Sequence, residues 1–359
     1  MNKRLIGSIL VFCLILVNLL VSEELRPYKL INSDKLLVEK GELEYITLLI
    51  GNVHFFYGDT EFFSDQAEIY EKQKLTKMIG NVEVLDDTLF LSADIIEYHR
   101  NEDELNLTGN VKIVETHIDS TKRYYQADSV GYLRTDKTIL ADNNVIVFDE
   151  RENLRGECGQ LRYYMQDKYG YLIKEPAIFM LDKDSVSVAA QKIEYFQDFR
   201  KIAASFDIKV LAKEFSINSD FLLYFEEDDK AIFLGNPEFN SDFANARARE
   251  FQLFFDDRNL IQADLYDSCR VDFRTEDNTD KKSWAEANYM RFDFDNGELE
   301  KCNAINNVIS YFHQDKTQDR DFSANHVNGQ QLVIEVEDNK ITLIRMEKRI
   351  QGKYKFSSK

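Results

Sequence analysis

Residues whose side chains could carry out catalysis are scattered along this sequence of 359 residues and form no recognisable catalytic pattern. Zinc and other metal sites need histidine or cysteine ligands at short, regular spacings, which the chain lacks. No G-x-S-x-G elbow and no phosphate-binding loop occurs either. The histidines are therefore predicted to be surface or strand residues: His54, His99, His117, His313 and His326.

Adjacent acidic residues suggest a second type of chemistry, because a pair of carboxylates can hydrolyse a glycosidic bond. Neighbouring side chains of a strand point to opposite faces, so such pairs cannot act together on one substrate. They are more typical of solvated turns. The pairs concerned are Asp86-Asp87, Glu226-Glu227 and Asp256-Asp257.

The cysteines indicate neither a disulfide framework nor a zinc site. Three of them lie outside the N-terminal segment, an odd number without C-x-x-C spacing: Cys158, Cys269 and Cys302. With no catalytic or metal-binding pattern in the chain, we predict a protein that is not an enzyme and that needs no cofactor and no metal.

Charge and composition narrow the class of protein further. The formal net charge of −19 argues against a nucleic-acid partner, which requires a basic surface. The chain has 26 phenylalanines, 18 tyrosines and only 3 prolines. Aromatic and β-branched residues favour strands, and no Pro-, Ser- or Gly-rich linker divides the sequence. We therefore predict an all-β fold.

The N-terminus has the pattern of an export segment. Met1-Asn2-Lys3-Arg4 is basic, and the apolar run from Leu5 to Val21 is closed by Glu23-Glu24. This run is shorter than the roughly 20 residues of a spanning helix, yet long for a signal peptide. We predict an export helix over residues 1–22, either a cleaved signal peptide or a retained membrane anchor. Both interpretations place the rest of the chain outside the cytoplasm.

One short phrase returns along the first half of the chain at intervals of roughly 30 residues, a period typical of stacked repeats. Its copies are Gly51-Asn52-Val53, Gly80-Asn81-Val82, Gly109-Asn110-Val111 and, more loosely, Asn143-Asn144-Val145. A second phrase lies between the copies, at Ser64 to Tyr70, Ser92 to Tyr98 and Gln126 to Tyr132. Two linked phrases at one spacing indicate a repeat protein.

The unit that begins at Gly80 shows how one repeat is built. A strand with alternating burial runs to the turn at Asp86-Asp87, and a second strand returns from Leu89. Its apolar residues change parity near Asp94, which predicts a β-bulge. Gly80 is expected to have a positive φ angle, as glycine readily does. No single unit can bury its own apolar face, so neighbouring units must stack.

Degraded copies continue the repeat towards the C-terminus, and we predict about nine units in all. The first phrase is replaced by Lys174-Glu175-Pro176, Phe206-Asp207-Ile208, Gly235-Asn236-Pro237 and Asn306-Asn307-Val308. The second recurs around Tyr163, Tyr195, Tyr224, Phe254 and Phe292. Residues Thr275 to Lys282 and His313 to Asp321 are predicted to be polar, protruding loops.

The two linked phrases resemble the OstA-like, or LptA-type, family of periplasmic lipopolysaccharide-transport proteins. The resemblance is good over residues 41–150 and weaker over residues 151–359, which are interpreted as more divergent repeats of the same kind; residues 23–40 are a lead-in or capping segment. It implies an open β-jellyroll of stacked β repeats whose two sheets enclose an apolar groove for acyl chains. It also implies head-to-tail stacking with like-folded partners that bridges the inner and outer membranes.

A ladder of apolar residues is the candidate lining of that groove. Alternation reports burial only, so the same residues could equally pack a solid core; the resemblance favours the groove. The predicted lipid-binding residues are Val53, Phe55, Val82, Val84, Leu91, Val111, Ile113, Val145 and Val147.

Together these features predict a non-catalytic protein that binds lipopolysaccharide through lipid A and acts in its transport to the outer membrane. Expected partners are lipopolysaccharide or a related lipid, the inner- and outer-membrane β-jellyroll components of the bridge, and further copies of the chain. The expected location is the periplasm, either free, tethered to the inner membrane or associated with the outer membrane. Two alternatives stay open: a structural parallel β-helix or adhesin-like solenoid, and a polysaccharide-degrading β-helix enzyme.

Overall fold

The computed structural model describes residues 28–181, 186–213, 215–242, 244–256, 259–273, 283–295, 298–314, 322–337 and 340–356. Within these ranges the chain forms β-strands and one 3-10 turn, Gln197–Phe199. The prediction of an all-β repeat fold is confirmed. The predicted export helix at residues 1–22 and most of the two predicted polar loops lie outside the described residues.

The strands of the N-terminal part are long and follow one another closely. They are β1 (Tyr28–Asn32), β2 (Lys35–Lys40), β3 (Tyr45–Tyr57), β4 (Thr60–Tyr70), β5 (Leu75–Asp86), β6 (Leu89–His99), β7 (Glu104–Thr116), β8 (Lys122–Leu133), β9 (Thr138–Asp149) and β10 (Leu154–Tyr164).

In the middle of the chain several strands are split into two shorter pieces, whereas the last strands are long again. They are β11 (Tyr169–Ile173), β12 (Ala177–Met180), β13 (Val186–Ala189), β14 (Lys192–Phe196), β15 (Lys201–Leu211), β16 (Phe215–Phe225), β17 (Lys230–Leu234), β18 (Glu238–Ser241), β19 (Ala244–Arg247), β20 (Glu250–Asp256), β21 (Asn259–Phe273), β22 (Ser283–Asp295), β23 (Glu298–Gln314), β24 (Ser323–Glu337), β25 (Lys340–Glu347) and β26 (Gln351–Phe356).

All of these strands belong to one continuous sheet in which each long strand pairs with the strands just before and just after it in the chain. The two pieces of a split strand, such as β11 and β12, pair with the same long strand, β10, and not with each other. Every pairing between described strands is antiparallel. A parallel β-helix, which both alternative interpretations of the sequence assumed, is therefore wrong. Successive hairpins stack instead, as the repeat pattern predicted.

The sheet bends at a series of corners, each formed by two consecutive residues with positive φ. The described residues contain ten of them, against about nine predicted units: Gly51-Asn52, Gly80-Asn81, Gly109-Asn110, Asn143-Asn144, Lys174-Glu175, Phe206-Asp207, Gly235-Asn236, Asp267-Ser268, Asn306-Asn307 and Lys348-Arg349. The repeated phrase of the sequence thus marks a corner. The corners at Asp267 and Lys348 have no glycine or asparagine, and the sequence pattern did not identify them.

The chemistry of a corner is clearest at Gly80, whose φ is 78°, followed by Asn81 with φ 44°. These two residues lie opposite one residue, Asp65, of β4, which makes a bulge in the ladder. The Asn81 amide donates a hydrogen bond to the Asp65 carboxylate at 2.9 Å. A Cβ atom on Gly80 would lie 2.5 Å from the same carboxylate, so only glycine fits there. Asp94 and Asp128 accept the same bond from the next two asparagine corners.

The corners divide the sheet into two layers that face each other. Layer 1 contains β2 and the segments in register with it, such as residues 75–79 of β5; layer 2 contains β1 and segments such as residues 82–86. The layers are in contact, since the ring of Phe62 in layer 2 lies 5.9 Å from that of Tyr98 in layer 1. The open side opposite the corners, where the hairpin turns lie, is the mouth of the sandwich.

Two apolar cores fill the space between the layers. The N-terminal core extends from Leu49 to Tyr163, and the C-terminal core from Ile178 to Ile334. Leu172 packs against both cores and joins them. The apolar interior is therefore continuous along the stack, although its two parts are packed separately.

The second phrase of the repeat needs a correction in register. The inward-facing positions of one lateral row, read along the hydrogen-bonded pairs, are Ile69, Tyr98, Tyr132, Tyr163, Tyr195, Tyr224, Leu253, Phe292 and Ile334. Ile69 and Leu253, not Tyr70 and Phe254, belong to this row, because the pairing register, and not the position of the aromatic residue, decides which side chain faces inward. His313, assigned to a loop, is a buried residue of β23.

The corner geometry gives a test in two glycine substitutions. Gly80→Ala should lower the free energy of unfolding by about 1–2 kcal/mol, because alanine at positive φ is strained and its Cβ contacts Asp65. Gly131→Ala is the matched control: its φ is not positive, and its Cβ would have its nearest neighbour at 3.6 Å. Urea unfolding measures both. Equal losses in the two variants would mean that the corner does not depend on glycine.

Candidate functional site

The predicted ladder lies together in the interior of the N-terminal core. Val53, Phe55, Val82, Val84, Leu91, Val111, Ile113 and Val145 are at most 2 % exposed, and Val147 is partly buried against the same core. All nine belong to layer 2, so the prediction found one wall of the interior. The facing wall in layer 1 is formed by Met78, Ile96, Leu107, Val130 and Ile139. The parity change at the corner aspartates is the sequence signal that leads to it.

Arg134 closes the mouth of the N-terminal core. It lies at the tip of layer 1, and its guanidinium donates two hydrogen bonds to Asp86 in layer 2, at 2.8 and 3.1 Å. It also donates to Thr60 of layer 2 at 2.7 Å. On its own side it reaches Asp103 at 2.9 Å and the Tyr98 hydroxyl at 3.1 Å. Asp86 and Asp103 hold the pKa of this mostly buried arginine above its ordinary value.

A second charged cluster closes the mouth further along the stack. Arg123 of layer 2 pairs with Asp149 at 2.6 Å and donates a hydrogen bond to the Tyr163 hydroxyl of layer 1 at 3.2 Å. Its guanidinium also lies 5.5 Å from the centre of the Tyr163 ring. Tyr125 donates to Glu115 at 3.0 Å beside it. Arg123, Glu115 and Asp149 are all buried, so the cluster is a satisfied ionic network inside the protein.

A third contact joins the layers at the N-terminal end of the stack. The hydroxyl of Tyr28 in layer 2 forms a short hydrogen bond with Thr76 in layer 1. Arg100, at the tip of layer 1, lies over the Tyr28 ring at 5.2 Å and donates to the carbonyl of Tyr70 at 2.8 Å. We call these three clusters, centred on Arg134, Arg123 and Tyr28, the crossbars. The sequence analysis identified none of them.

Tyrosine hydroxyls accompany the crossbars along the lateral row. Burial raises the pKa of Tyr98, Tyr163 and Tyr224, and raises that of Tyr132 and Tyr195 to about 12. These hydroxyls therefore stay protonated at physiological pH and act as neutral hydrogen-bonding groups. Beyond Tyr224 the row continues with Leu253, Phe292 and Ile334, which carry no polar atom.

The interior of the C-terminal core contains a small apolar cavity of about 50 Å³ between the two layers. Layer 2 lines it with Phe215, Ile217 and Phe239, and layer 1 with Leu265, Phe292 and Phe294, among others, all of them apolar. Phe215, Leu260, Phe294 and Leu299 lie towards the mouth and are only partly buried. The described side chains that border this cavity at the mouth are therefore apolar, whereas those at the mouth of the N-terminal core form the crossbars.

A second hollow, of about 620 Å³, lies on the outside, between the corners at Glu175 and Gly235. Pro176 and Pro237 follow these corners and directly precede β12 and β18, a position at which the missing N–H of proline is tolerated. The hollow is bordered by the carboxyl-bearing residues Glu175, Asp207, Asp220 and Glu238. This surface does not suit an anionic headgroup.

Reactive groups in the described residues are few and shielded. Cys158, Cys269 and Cys302 are free, and burial raises the pKa of the first two thiols to about 11 and about 12, and that of Cys302 further. No group of histidine, cysteine or acidic residues suited to a metal ion occurs in the described ranges. The same ranges contain no helix long and apolar enough to cross a membrane.

The Arg134 crossbar can be tested by its contribution to stability. Arg134→Ala should lower the free energy of unfolding by about 3–5 kcal/mol, because it leaves Asp86 buried without its partner. Arg134→Lys should lose less, since it keeps the charge but not the two-pronged contact. Arg291→Ala is the control: this exposed arginine pairs with Asp293, and its loss should cost less than about 1 kcal/mol. Urea unfolding measures both variants. Equal losses of stability in Arg134→Ala and Arg291→Ala would contradict the role of Arg134 as a crossbar.

Comparison with known proteins agrees with this architecture. Residues 30–201, somewhat under half of the chain, match the family described as LptA/(LptD N-terminal domain) LPS transport protein. A solved structure titled as LptH, the LptA homologous periplasmic component of the conserved lipopolysaccharide transport device from Pseudomonas aeruginosa, aligns at 15 % identity and a TM-score of 0.31. The alignment covers 32 % of the present chain and 82 % of the LptH chain. A search of curated protein sequences finds no significant match.

The family match contains the N-terminal core from Leu49 to Tyr163, the Arg134 and Arg123 crossbars and the first corners. It begins after Tyr28 and extends into the C-terminal core, which starts at Ile178. The motif-based resemblance is thereby confirmed. Residues 30–201 of this chain are thus similar to the family described as LptA/(LptD N-terminal domain) LPS transport protein.

Proposed function

We propose that this protein binds lipopolysaccharide by its acyl chains between the two layers and forms part of a non-catalytic bridge that carries it across the periplasm to the outer membrane. The observation that supports this is the family domain over residues 30–201, built on two layers with an apolar interior that continues to Ile334. Hydrocarbon needs only such a lining, because each buried methylene contributes about 0.8 kcal/mol.

Recognition through the acyl chains also agrees with the charge of the protein. The formal net charge of −19 does not favour the anionic phosphates of lipid A. The binding energy must then come from apolar contact, not from ion pairs. The predicted ladder from Val53 to Val147 is the candidate lining in the N-terminal core. Its side chains pack against each other, so a lipid would reach them only after the layers part at the mouth.

The two ends of the stack support association with like-folded partners. Within the described residues β1 and β2 pair with β3 alone, and β25 and β26 with β24 alone, so each end of the described stack presents a strand edge. Such edges accept a further strand unless they are blocked. Both carry exposed apolar residues, for example Leu36 and Val38 at one end and Tyr354 and Phe356 at the other. Head-to-tail contact would extend the apolar interior from one molecule to the next.

A structural role is the second candidate, because the N-terminal core is packed and closed by crossbars. A solid stack of hairpins that only spaces other components would need no lipid. The two functions differ in one observable, which is bound lipid in the protein isolated from its native membrane compartment.

The lipid test uses the exported protein purified from cells without detergent and extracted with organic solvent. Mass spectrometry of the extract should show lipid A-derived ions in excess over phospholipids. If the predicted ladder lines the acyl-chain site, Val84→Arg, which places a cation in the buried interior, should reduce the recovered lipid several-fold. Glu83→Arg, on the exposed face of the same strand, should retain it. An extract that contains no lipid A would favour the structural role.

The association test uses substitutions that leave the chain length unchanged. Tyr354→Glu together with Phe356→Glu should abolish a concentration-dependent oligomer, because it places charges on the exposed last strand. Phe199→Glu is the control, since Phe199 is equally exposed but lies in the middle of the stack. Sedimentation velocity over a range of concentrations measures the effect. Loss of association in the control, or its persistence in the double variant, would place the contact elsewhere.

A further inference from the structure

We propose that the acyl-chain site of this protein lies in the C-terminal core, beyond the family domain, with its entrance at the apolar mouth formed by Phe215, Leu260, Phe294 and Leu299. This inference rests on the proposed function for the source of the acyl chain. It differs from the predicted ladder, which places the lining in the N-terminal core. Three independent observations lead to it.

The first observation is that the crossbars obstruct the mouth of the N-terminal core. For the layers to part there, Arg134 must leave Asp86 and Thr60, and Arg123 must leave Tyr163. Each separation breaks charge-assisted bonds between groups that are largely shielded from water. A hydrocarbon chain offers these groups no replacement hydrogen bonds. Entry at this mouth is therefore opposed by several polar contacts at once.

The second observation is the chemistry of the described side chains that border the cavity at the C-terminal mouth. Phe215, Leu260, Phe294 and Leu299 are aromatic or aliphatic and partly exposed. The nearby ion pairs of Arg270 with Asp272 and Glu286, and of Arg291 with Asp293, each join residues of one layer. Parting the layers here separates apolar surfaces, which an acyl chain would cover again.

The third observation is the change of chemistry along the lateral row. From Tyr98 to Tyr224 every second strand places a hydroxyl at this position, and from Leu253 to Ile334 it places hydrocarbon. The cavity between the layers lies beside this second stretch, with Leu253 and Phe292 in its lining. Incomplete packing and the absence of polar atoms thus occur in the same part of the interior.

These features specify an alkyl chain as the occupant. Every side chain that lines the cavity is apolar, so a ligand group with hydrogen-bonding atoms would be buried without partners, at a cost that alkyl groups do not incur. A cavity of about 50 Å³ is a gap in the packing and smaller than the cavities that hold a benzene-sized ligand. Occupation therefore requires the mouth to widen, and the headgroup stays outside.

The experiment places a benzophenone amino acid at one position per variant in the full exported chain. Phe215 and Phe294 report on layers 2 and 1 of the C-terminal mouth. Tyr57 and Met165 are the matched positions in layers 2 and 1 at the N-terminal core, and all four are partly buried. Each variant is irradiated with purified lipopolysaccharide and, separately, with phosphatidylglycerol vesicles. Circular dichroism confirms that each variant is folded.

Cross-links to either lipid at positions 215 and 294, at least about tenfold above those at 57 and 165, support the site. Stronger or equal labelling at 57 and 165 would overturn it and leave the proposed function intact. Labelling at 215 and 294 by phosphatidylglycerol alone would support the site and contradict lipopolysaccharide transport. No labelling at any position contradicts both.

A cavity-filling variant gives a second measurement. Ala246→Leu adds apolar volume to the lining and should reduce labelling at position 294 about tenfold, the loss expected from excluding roughly two acyl methylenes. The fold should persist, because the added side chain enters existing empty space. Labelling unchanged in this variant would show that the lipid at position 294 lies outside the cavity.

Discussion

The structure depends on the corner, where two residues of positive φ lie opposite one residue of the neighbouring strand, as Gly80-Asn81 lie opposite Asp65. A regular antiparallel ladder would run straight, and its apolar face would find no partner. The extra residue breaks the register, turns the strand and brings the second half of each hairpin over the first. Because Asn81, Asn110 and Asn144 donate to aspartates of adjacent strands at nearly the same distance, one corner positions the next. Two facing layers follow from this repeated local contact.

The crossbars add what the corners cannot provide. Corners fix only one side of the sandwich, and the mouth opposite them is held by the side chains that meet there. In the N-terminal core these are buried arginines with carboxylate and tyrosine partners. Such pairs fix the relative position of the two layers more than they add to net stability. In the C-terminal core apolar side chains occupy the corresponding place. The same backbone plan thus gives two interiors whose described mouth residues differ in chemistry.

The sequence predicted the local features of this fold well and the non-local ones poorly. Period, strand alternation, the bulge at Asp94 and the glycine corners all arise within one repeat, so a single copy reveals them. The nine ladder residues were correctly grouped in the interior, but only as one wall. Arg134 reaches Asp86 and Thr60 across 48 and 74 positions, and no local pattern marks such a contact. Whether the ladder contacts lipid stays a prediction.

The span of the Arg134 contact also bears on how the chain folds as it emerges from its N-terminus. Each hairpin pairs with the one just made, so the layers can grow unit by unit with short loop closures. Thr60 and Asp86, however, find their partner Arg134 only after it has been synthesised. In the same way Arg123 is completed only by the later residues Asp149 and Tyr163. Until these crossbar contacts form, the mouth of the N-terminal core is therefore open and its interior is accessible. The first core of a partly synthesised chain would thus stay open until the residues up to Tyr163 have folded.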